Sequence, residues 1–314
     1  MTSILTRRTP AVATPAPATT PAHATAPVPA TGSGPRLVRT VLGYACMLLT
    51  AVAFLLPIVW MVASSFKTGT SILNDPLGFD PATATWRNWT GMFGNTPILR
   101  ALLNTGIVVA GKGGLLLVFS PLAGYGFAKF DFPFKSALFG LVLLTLMLPT
   151  LVLIIPLLLE MSQLNWINSF QALILPGSVD AFSVFWMRQA ISEIPDELLD
   201  AARIDGCGPL RAFWSVVVPV LRPALAGLAV LSLFTIYNDL VWPIVAINDQ
   251  RHETLAVLLA GLSSNVSGAQ AGVSSADMWG QLMAACTFAT IPTVLLFMVL
   301  QRHFIRGLLA GSSR

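Results

Sequence analysis

Six long apolar runs separated by short polar connections set the pattern of the chain, at residues 41–63, 101–127, 137–159, 170–187, 224–247 and 282–300. A helix rising 1.5 Å per residue needs about 20 residues to cross a hydrocarbon layer of roughly 30 Å, and each run is about that long. None shows the strict alternation of a barrel strand, and backbone groups in lipid must be satisfied within their own segment. The pattern predicts an all-α polytopic membrane protein with six transmembrane helices.

One connection departs from this rhythm. Residues 193–223, EIPDELLDAARIDGCGPLRAFWSVVVPVLRP, are charged and amphipathic. Pro195 suits a first helical turn, Asp196 and Glu197 complement its positive end, and Gly206 stands where a left-handed stop is wanted. A short helix over 195–204 is predicted, with Leu198, Leu199, Ala202 and Ile204 on an apolar side and Asp196, Glu197, Asp200 and Arg203 kept wet. A second helix from Pro209 carries Phe213, Trp214 and Val216 to Val218 back toward the membrane. From the pattern alone, the segment either lies on the bilayer surface or meets another protein.

Other connections carry less chemistry. Residues 1–36 are rich in Pro, Ala and Thr without apolar periodicity, so a disordered tail is predicted ahead of a six-helix transmembrane domain at 37–314. The 64–99 connection, with Trp86 and Trp89, reads as an ordered cap near the headgroups. Residues 248–278 contain the small-residue stretch GLSSNVSGAQAGVSSA, which is either mobile or turned toward a soluble partner.

Composition agrees with a lipid-solvated chain, with 55% hydrophobic and 10% charged residues against roughly 25% charged in soluble domains. Of the 18 Lys and Arg, thirteen fall on one side of the predicted spans, four (Lys67, Arg87, Arg100, Arg251) on the other, and Lys112 within a span. That bias places both termini and the 193–223 loop in the cytoplasm. It also accounts for the net charge of +4 without nucleic acid, through contact with membrane lipid. The three cysteines, Cys46, Cys207 and Cys286, have no spacing that suggests a disulfide framework or a metal site. The three histidines lie near no nucleophile.

Polar groups within the apolar runs are few. Asp180 falls near the middle of the fourth, and Asn238 and Asp239 in the outer half of the fifth, with Trp242 just beyond. Ionisable groups at membrane depth cost about 2.5–3.5 kcal/mol on the insertion scale and should face protein or water. These four residues either line a solute pathway, with Trp242 as an apolar face for a pyranose, or bond between helices. Gly106 to Lys112 mimics the start of a phosphate loop, but Gly113 follows where a Ser or Thr is needed, and the stretch lies inside a span. Gly106, Gly111, Gly113 and Gly114 instead read as sites of close helix approach, with Lys112 paired across an interface or reaching water.

Asp200-Ala201-Ala202, Asp205-Gly206, Phe213, Pro219 and Pro223 resemble the cytoplasmic EAA loop of ABC importer permeases. The pattern is similar to that of the carbohydrate-uptake class, specifically the second permease of the maltose type. Asp200 stands where Glu is usual and Cys207 where Ala is usual. The resemblance covers about residues 37–314 and includes Ser64-Ser65-Phe66-Lys67, Tyr125-Gly126-Phe127-Ala128, Asn238 to Pro243, and Arg306-Gly307-Leu308 with Ala310-Gly311. It implies the type I importer fold in a bacterial inner membrane. This chain would pair with a second permease, a dimer of nucleotide-binding ATPase subunits and an external substrate-binding protein. ATP and magnesium would be held by the ATPase subunits, with no cofactor and no catalytic residue in this chain. Asp200, Ala201, Ala202, Asp205, Gly206, Phe213 and Pro219 would couple the ATPase to the spans. In the family, the solute site belongs mainly to the other permease. The rival expectations are a secondary transporter coupling ions through Asp180, Asp239 and Lys112, and a membrane-embedded enzyme centred on Asn238-Asp239.

Overall fold

The computed structural model describes the backbone of residues 33–78, 80–268 and 273–312, and the side chains of 38–78, 80–266 and 277–298. The predicted tail falls almost wholly outside these residues. The helices are α1 (Ser33–Ser64), α2 (Gly69–Asn74), α3 (Arg87–Asn95), α4 (Ile98–Lys129), α5 (Lys135–Met147), α6 (Thr150–Gln163), α7 (Phe170–Ile174) and α8 (Ala181–Ser192). They continue with α9 (Asp196–Ile204), α10 (Pro209–Ala212), α11 (Val218–Tyr237), α12 (Val241–Ala246), α13 (Leu255–Gly268) and α14 (Val273–Ser312). No strand occurs among the described residues. Residues through Phe54 form one unit, and from Leu55 onward the chain forms another. In the first unit the described side chains are all exposed, as contact with hydrocarbon would leave them.

The six predicted spans are not six continuous helices. Among the described residues, four stretches are long and apolar enough to cross a membrane alone: Val38–Ser64, Ile98–Lys129, Pro209–Tyr237 and Asp277–Met298. Helices α5 and α6, bent by 105°, pass the same test as a pair. Their bend follows from Pro149, which pushes the residue before it out of helical space. The predicted fourth span, 170–187, is divided instead. Pro176 and Gly177 (φ 69°) end α7, and α8 restarts at the cap Asp180. The fifth begins earlier than predicted, at Pro209, passes through a π-helical turn at Phe213–Val217 and stops at Tyr237. Such π-bulges often mark functional segments.

Helix α4 is the spine, packed on α8 along one side and on α11 along another. Gly124 permits the α4–α8 approach, since a Cβ there would lie 2.8 Å from the backbone nitrogen of Arg188 and 2.9 Å from Met187 Cβ. A helical backbone cannot yield to such a clash. Gly124→Ala should therefore destabilise the protein by about 1–3 kcal/mol. Thermal unfolding in detergent checks this, with Gly126→Ala as the neutral control because nothing lies within 4 Å of its Cβ position. Gly111 and Gly113 make comparable approaches to Ile174 and Leu233, whereas Gly106 and Gly114 meet nothing. Only half of the predicted small-residue set is therefore used.

The 64–99 connection is ordered, as its aromatics predict. Asn88 Nδ2 donates to the carbonyls of Ser65 (2.9 Å) and Lys67 (2.7 Å), and the buried Lys67 ammonium donates to those of Asp75 (2.5 Å) and Pro76 (3.3 Å). Phe66 meets Trp86 edge-on at 4.9 Å. In contrast, the 248–278 connection contains an apolar helix that was not predicted. Helix α13 buries Leu255 and Leu258 against Met92, Ile98 and Ala284. Asn104 and Thr105 of α4 fix its start: Asn104 Nδ2 donates to the Arg251 and Glu253 carbonyls, and the Leu255 N–H donates to Thr105 Oγ1 at 2.8 Å.

Candidate functional site

Helix α9 forms where the local chemistry predicts it. Pro195 precedes it, Asp196 and Glu197 occupy the first turn and Arg203 the last. The Gly206 N–H donates to the Arg203 carbonyl (3.0 Å) and that of Cys207 to the Ala202 carbonyl (2.9 Å), closing the helix through Gly206 at φ 77°. This left-handed turn needs a residue without a Cβ penalty. The chain then re-enters the bundle through α10.

Two attachments hold α9 in place. Leu199 and Ala202 are buried over Phe213, which is 1% exposed and whose ring centre lies 5.3 Å from that of Tyr125. At the other attachment, Lys129 at the end of α4 donates from Nζ to the Ile194 carbonyl (2.6 Å) and to Asp196 Oδ1 (2.7 Å). The sequence suggested neither Lys129 nor Tyr125 as part of the site. The signal available was their place at the close of the second apolar run, where a basic or aromatic tip sits beside the following loop.

The outward side of the segment differs from the predicted one. Leu198 and Ile204 are exposed, Ile204 at 87%, together with Leu210 (68%) and Trp214 (53%). At about 100° per residue, Ile204 lies about 200° around the helix from Ala202 and cannot share its buried face. Beside these apolar tips stand Asp200 and Arg203, paired at 2.7 Å, with Ala201 and Asp205 also exposed. Of the residues expected to couple, Ala202 and Phe213 seat the segment, while Asp200, Ala201, Asp205, Gly206 and Pro219 face outward. The result is an anchored knob that presents a mixed apolar and charged surface.

Hydrogen bonding and attraction from Lys129 hold the Asp196 carboxyl below its ordinary range. A depressed carboxyl pKa gives a contribution present above the unfolded value and lost only as pH falls through the lower folded value. The anchor is therefore constant from pH 5 to 8. Limited proteolysis within 193–208 should be equally slow across that window, and Lys129→Met should make it faster at every pH in it.

The intramembrane polar residues are mostly committed to structure. Asp180 lies at a helix start and not in mid-span: Oδ1 accepts from the Ser183 N–H (2.7 Å) and Oδ2 from Ser183 Oγ (2.9 Å). Trp242 is 8% exposed and donates from Nε1 to the Ala172 carbonyl at 2.7 Å, so its ring has no open face for a pyranose in this conformation. Lys112 lies inside α4, where no phosphate loop can form, and its Nζ is 3.9 Å from Asp239 Oδ2. Asn238 ends α11 and donates from Nδ2 to the Phe234 carbonyl at 2.8 Å.

Residues 120–309 match the family model described as the binding-protein-dependent transport system inner membrane component. The chain is 30% identical to the lactose transport system permease protein LacG of Rhizobium radiobacter, over 88% of this chain and 97% of that protein. It is 32% identical to the arabinooligosaccharides transport system permease protein AraQ of Halalkalibacterium halodurans, over 86% and 94%. It is also 32% identical to the sn-glycerol-3-phosphate transport system permease protein UgpE of Yersinia pestis biovar Antiqua, over 83% and 93%. In fold it is similar to a chain of a bacterial ABC transporter involved in the import of the acidic polysaccharide alginate, with a TM-score of 0.76 at 19% identity over 88% of this chain and 100% of that one.

Proposed function

This chain belongs to the family of binding-protein-dependent transport system inner membrane components, and from that premise we infer that it is the permease through which an ABC importer moves a sugar or oligosaccharide, driven at the 193–223 loop. One observation carries the assignment of the loop: the exposed Leu198, Ile204, Leu210 and Trp214, beside Asp200, on a segment whose other face is locked to the bundle by Phe213 and Lys129. Apolar tips exposed at the polar end of a membrane bundle suit a protein groove better than water. Because the knob is anchored, displacement of the groove moves α4 and α11 with it as rigid bodies.

The loop and both termini then face the cytoplasm, where the excess of Arg and Lys also places them. A pair of nucleotide-binding subunits there holds ATP and magnesium and carries out the hydrolysis. A second permease completes the pathway, and an external binding protein delivers the solute; a bacterial alginate ABC transporter of similar fold is seen in complex with an alginate pentasaccharide-bound periplasmic protein. A secondary transporter is disfavoured because each charge it would use is occupied: Lys112 and Asp239 face one another and Asp180 caps α8.

Co-purification of the tagged chain from its native membrane, followed by ATPase assay with the loaded binding protein, tests this reading. Recovery of a second permease and a stimulated ATPase is expected. A chain that purifies alone and transports in liposomes without ATP would overturn it.

A further inference from the structure

Between the end of α11 and the middle of α14, with α13 as the facing wall, runs a groove of about 390 Å³, within the range of small-molecule sites of about 300–1,000 Å³. One side is a strip of uncharged hydrogen-bonding groups. Thr290 Oγ1 donates to the Cys286 carbonyl (2.9 Å) and Tyr237 Oη to the Ala289 carbonyl (2.7 Å), and Thr293 lines the groove beside them. Asn238 turns its Nδ2 to the Phe234 carbonyl, leaving its own carbonyl oxygen as an acceptor. Thr290 and Tyr237 thus keep hydroxyl lone pairs, and Asn238 its carbonyl oxygen and one amide hydrogen, so acceptors outnumber donors in the groove. Phe234, half exposed, and Leu259 supply the apolar remainder. Among the described residues, no Lys, Arg, Asp or Glu lines the groove.

We propose that this groove is a solute subsite carried by this chain itself, and that it takes a neutral polyhydroxylated solute, not an anionic one. Sugar hydroxyls donate to the row of acceptors while the C–H face of a pyranose rests on the Phe234 ring, whose π face is negative. Lack of a cation distinguishes among the relatives' solutes: a phosphate or uronate desolvated here would have no partner. The inference rests on the permease reading and adds to it the chemical class and the residues that select it.

The test uses the complete complex in liposomes, with ATP hydrolysis and import measured together for lactose, arabinotriose and sn-glycerol 3-phosphate. Wild type is expected to import a neutral sugar and to exclude sn-glycerol 3-phosphate. Asn238→Leu and the double variant T290V/T293V should each lower import of that sugar at least tenfold while stimulated hydrolysis stays within twofold, so that ATP consumed per solute rises about tenfold. T290S/T293S, which keeps the hydroxyls, should restore import. Unchanged import in both variants, or a parallel loss of import and hydrolysis that the serine variant does not rescue, would make the groove a packing surface and overturn the proposal. Selective import of sn-glycerol 3-phosphate by wild type would overturn the class. If wild type imports none of the three with ATP and its ATPase ignores the loaded binding protein, the permease reading itself fails, and the subsite with it.

Discussion

Gly206→Pro should lower ATP-driven uptake at least a hundredfold in a chain that still inserts into the membrane. Proline fixes φ near −65°, whereas Gly206 turns at φ 77° and donates its N–H to the Arg203 carbonyl. The variant therefore loses both the turn and a hydrogen bond, and the segment after α9 must leave in another direction. Nothing lies within 4 Å of the Cβ position, so any effect of substitution there comes from the backbone and not from packing. That makes a graded series informative. Gly206→Asn should retain most uptake, because Asn visits the left-handed region readily, and Gly206→Ala should fall between, at about 1–2 kcal/mol of strain. Asp200→Lys perturbs the same knob differently: it places two cations three residues apart and reverses the charge beside Leu198 and Ile204. Uptake and stimulated ATPase in proteoliposomes read all four, and normal uptake by both the proline and the lysine variants would remove the coupling role from this loop.

The bounds of α9 were legible in the sequence because they depend on local chemistry: a proline at the entry, acids in the first turn and a glycine at the exit. Its orientation was not. Whether Ile204 joins Leu199 or opposes it depends on which arc the bundle covers, and that is set by Phe213 and by Lys129, the latter 67 residues from its partner Asp196. Hydropathy likewise found where apolar mass lies but overlooked its interruptions, because a run of 18 or 24 residues averages away one Asp180 or one Asn238-Asp239. Pro176-Gly177 was the available signal in the first case. Helix α13 was missed for the opposite reason: its serines and glycines read as a loop, and what makes it a helix is burial of Leu255 and Leu258 with capping from Asn104 and Thr105 on a distant helix. Resemblance to a family fixed the fold and the importer class where periodicity could reach only a helical membrane bundle.

Neutralising either member of the Lys112–Asp239 pair should be far more damaging than neutralising both. The 3.9 Å separation is beyond hydrogen-bonding distance, so the contact is electrostatic. The side chains are 14% and 29% exposed, and the pair joins mid-α4 to the break after α11, with the Lys112 ammonium packed 3.4 Å from the Cβ position of Gly177 in a second break. Removing one partner of a buried pair typically costs about 3–5 kcal/mol, because the remaining charge is stranded. Asp239 keeps some access to solvent, so the lower end of that range is expected for Lys112→Met, and a similar loss for Asp239→Asn. K112M/D239N strands nothing and should recover much of the deficit, and the exchange K112D/D239K should recover part of it with the polarity reversed. Yield of the assembled complex and its melting temperature, taken around this double-mutant cycle, give the coupling directly. A strongly non-additive cycle makes Lys112 the counter-ion that allows Asp239 to sit at membrane depth. Additive losses would mean that water or another group satisfies each charge separately, and the breaks after α7 and α11 would then be held by hydrogen bonds such as Trp242–Ala172 and Asn168–Ala246 and by packing.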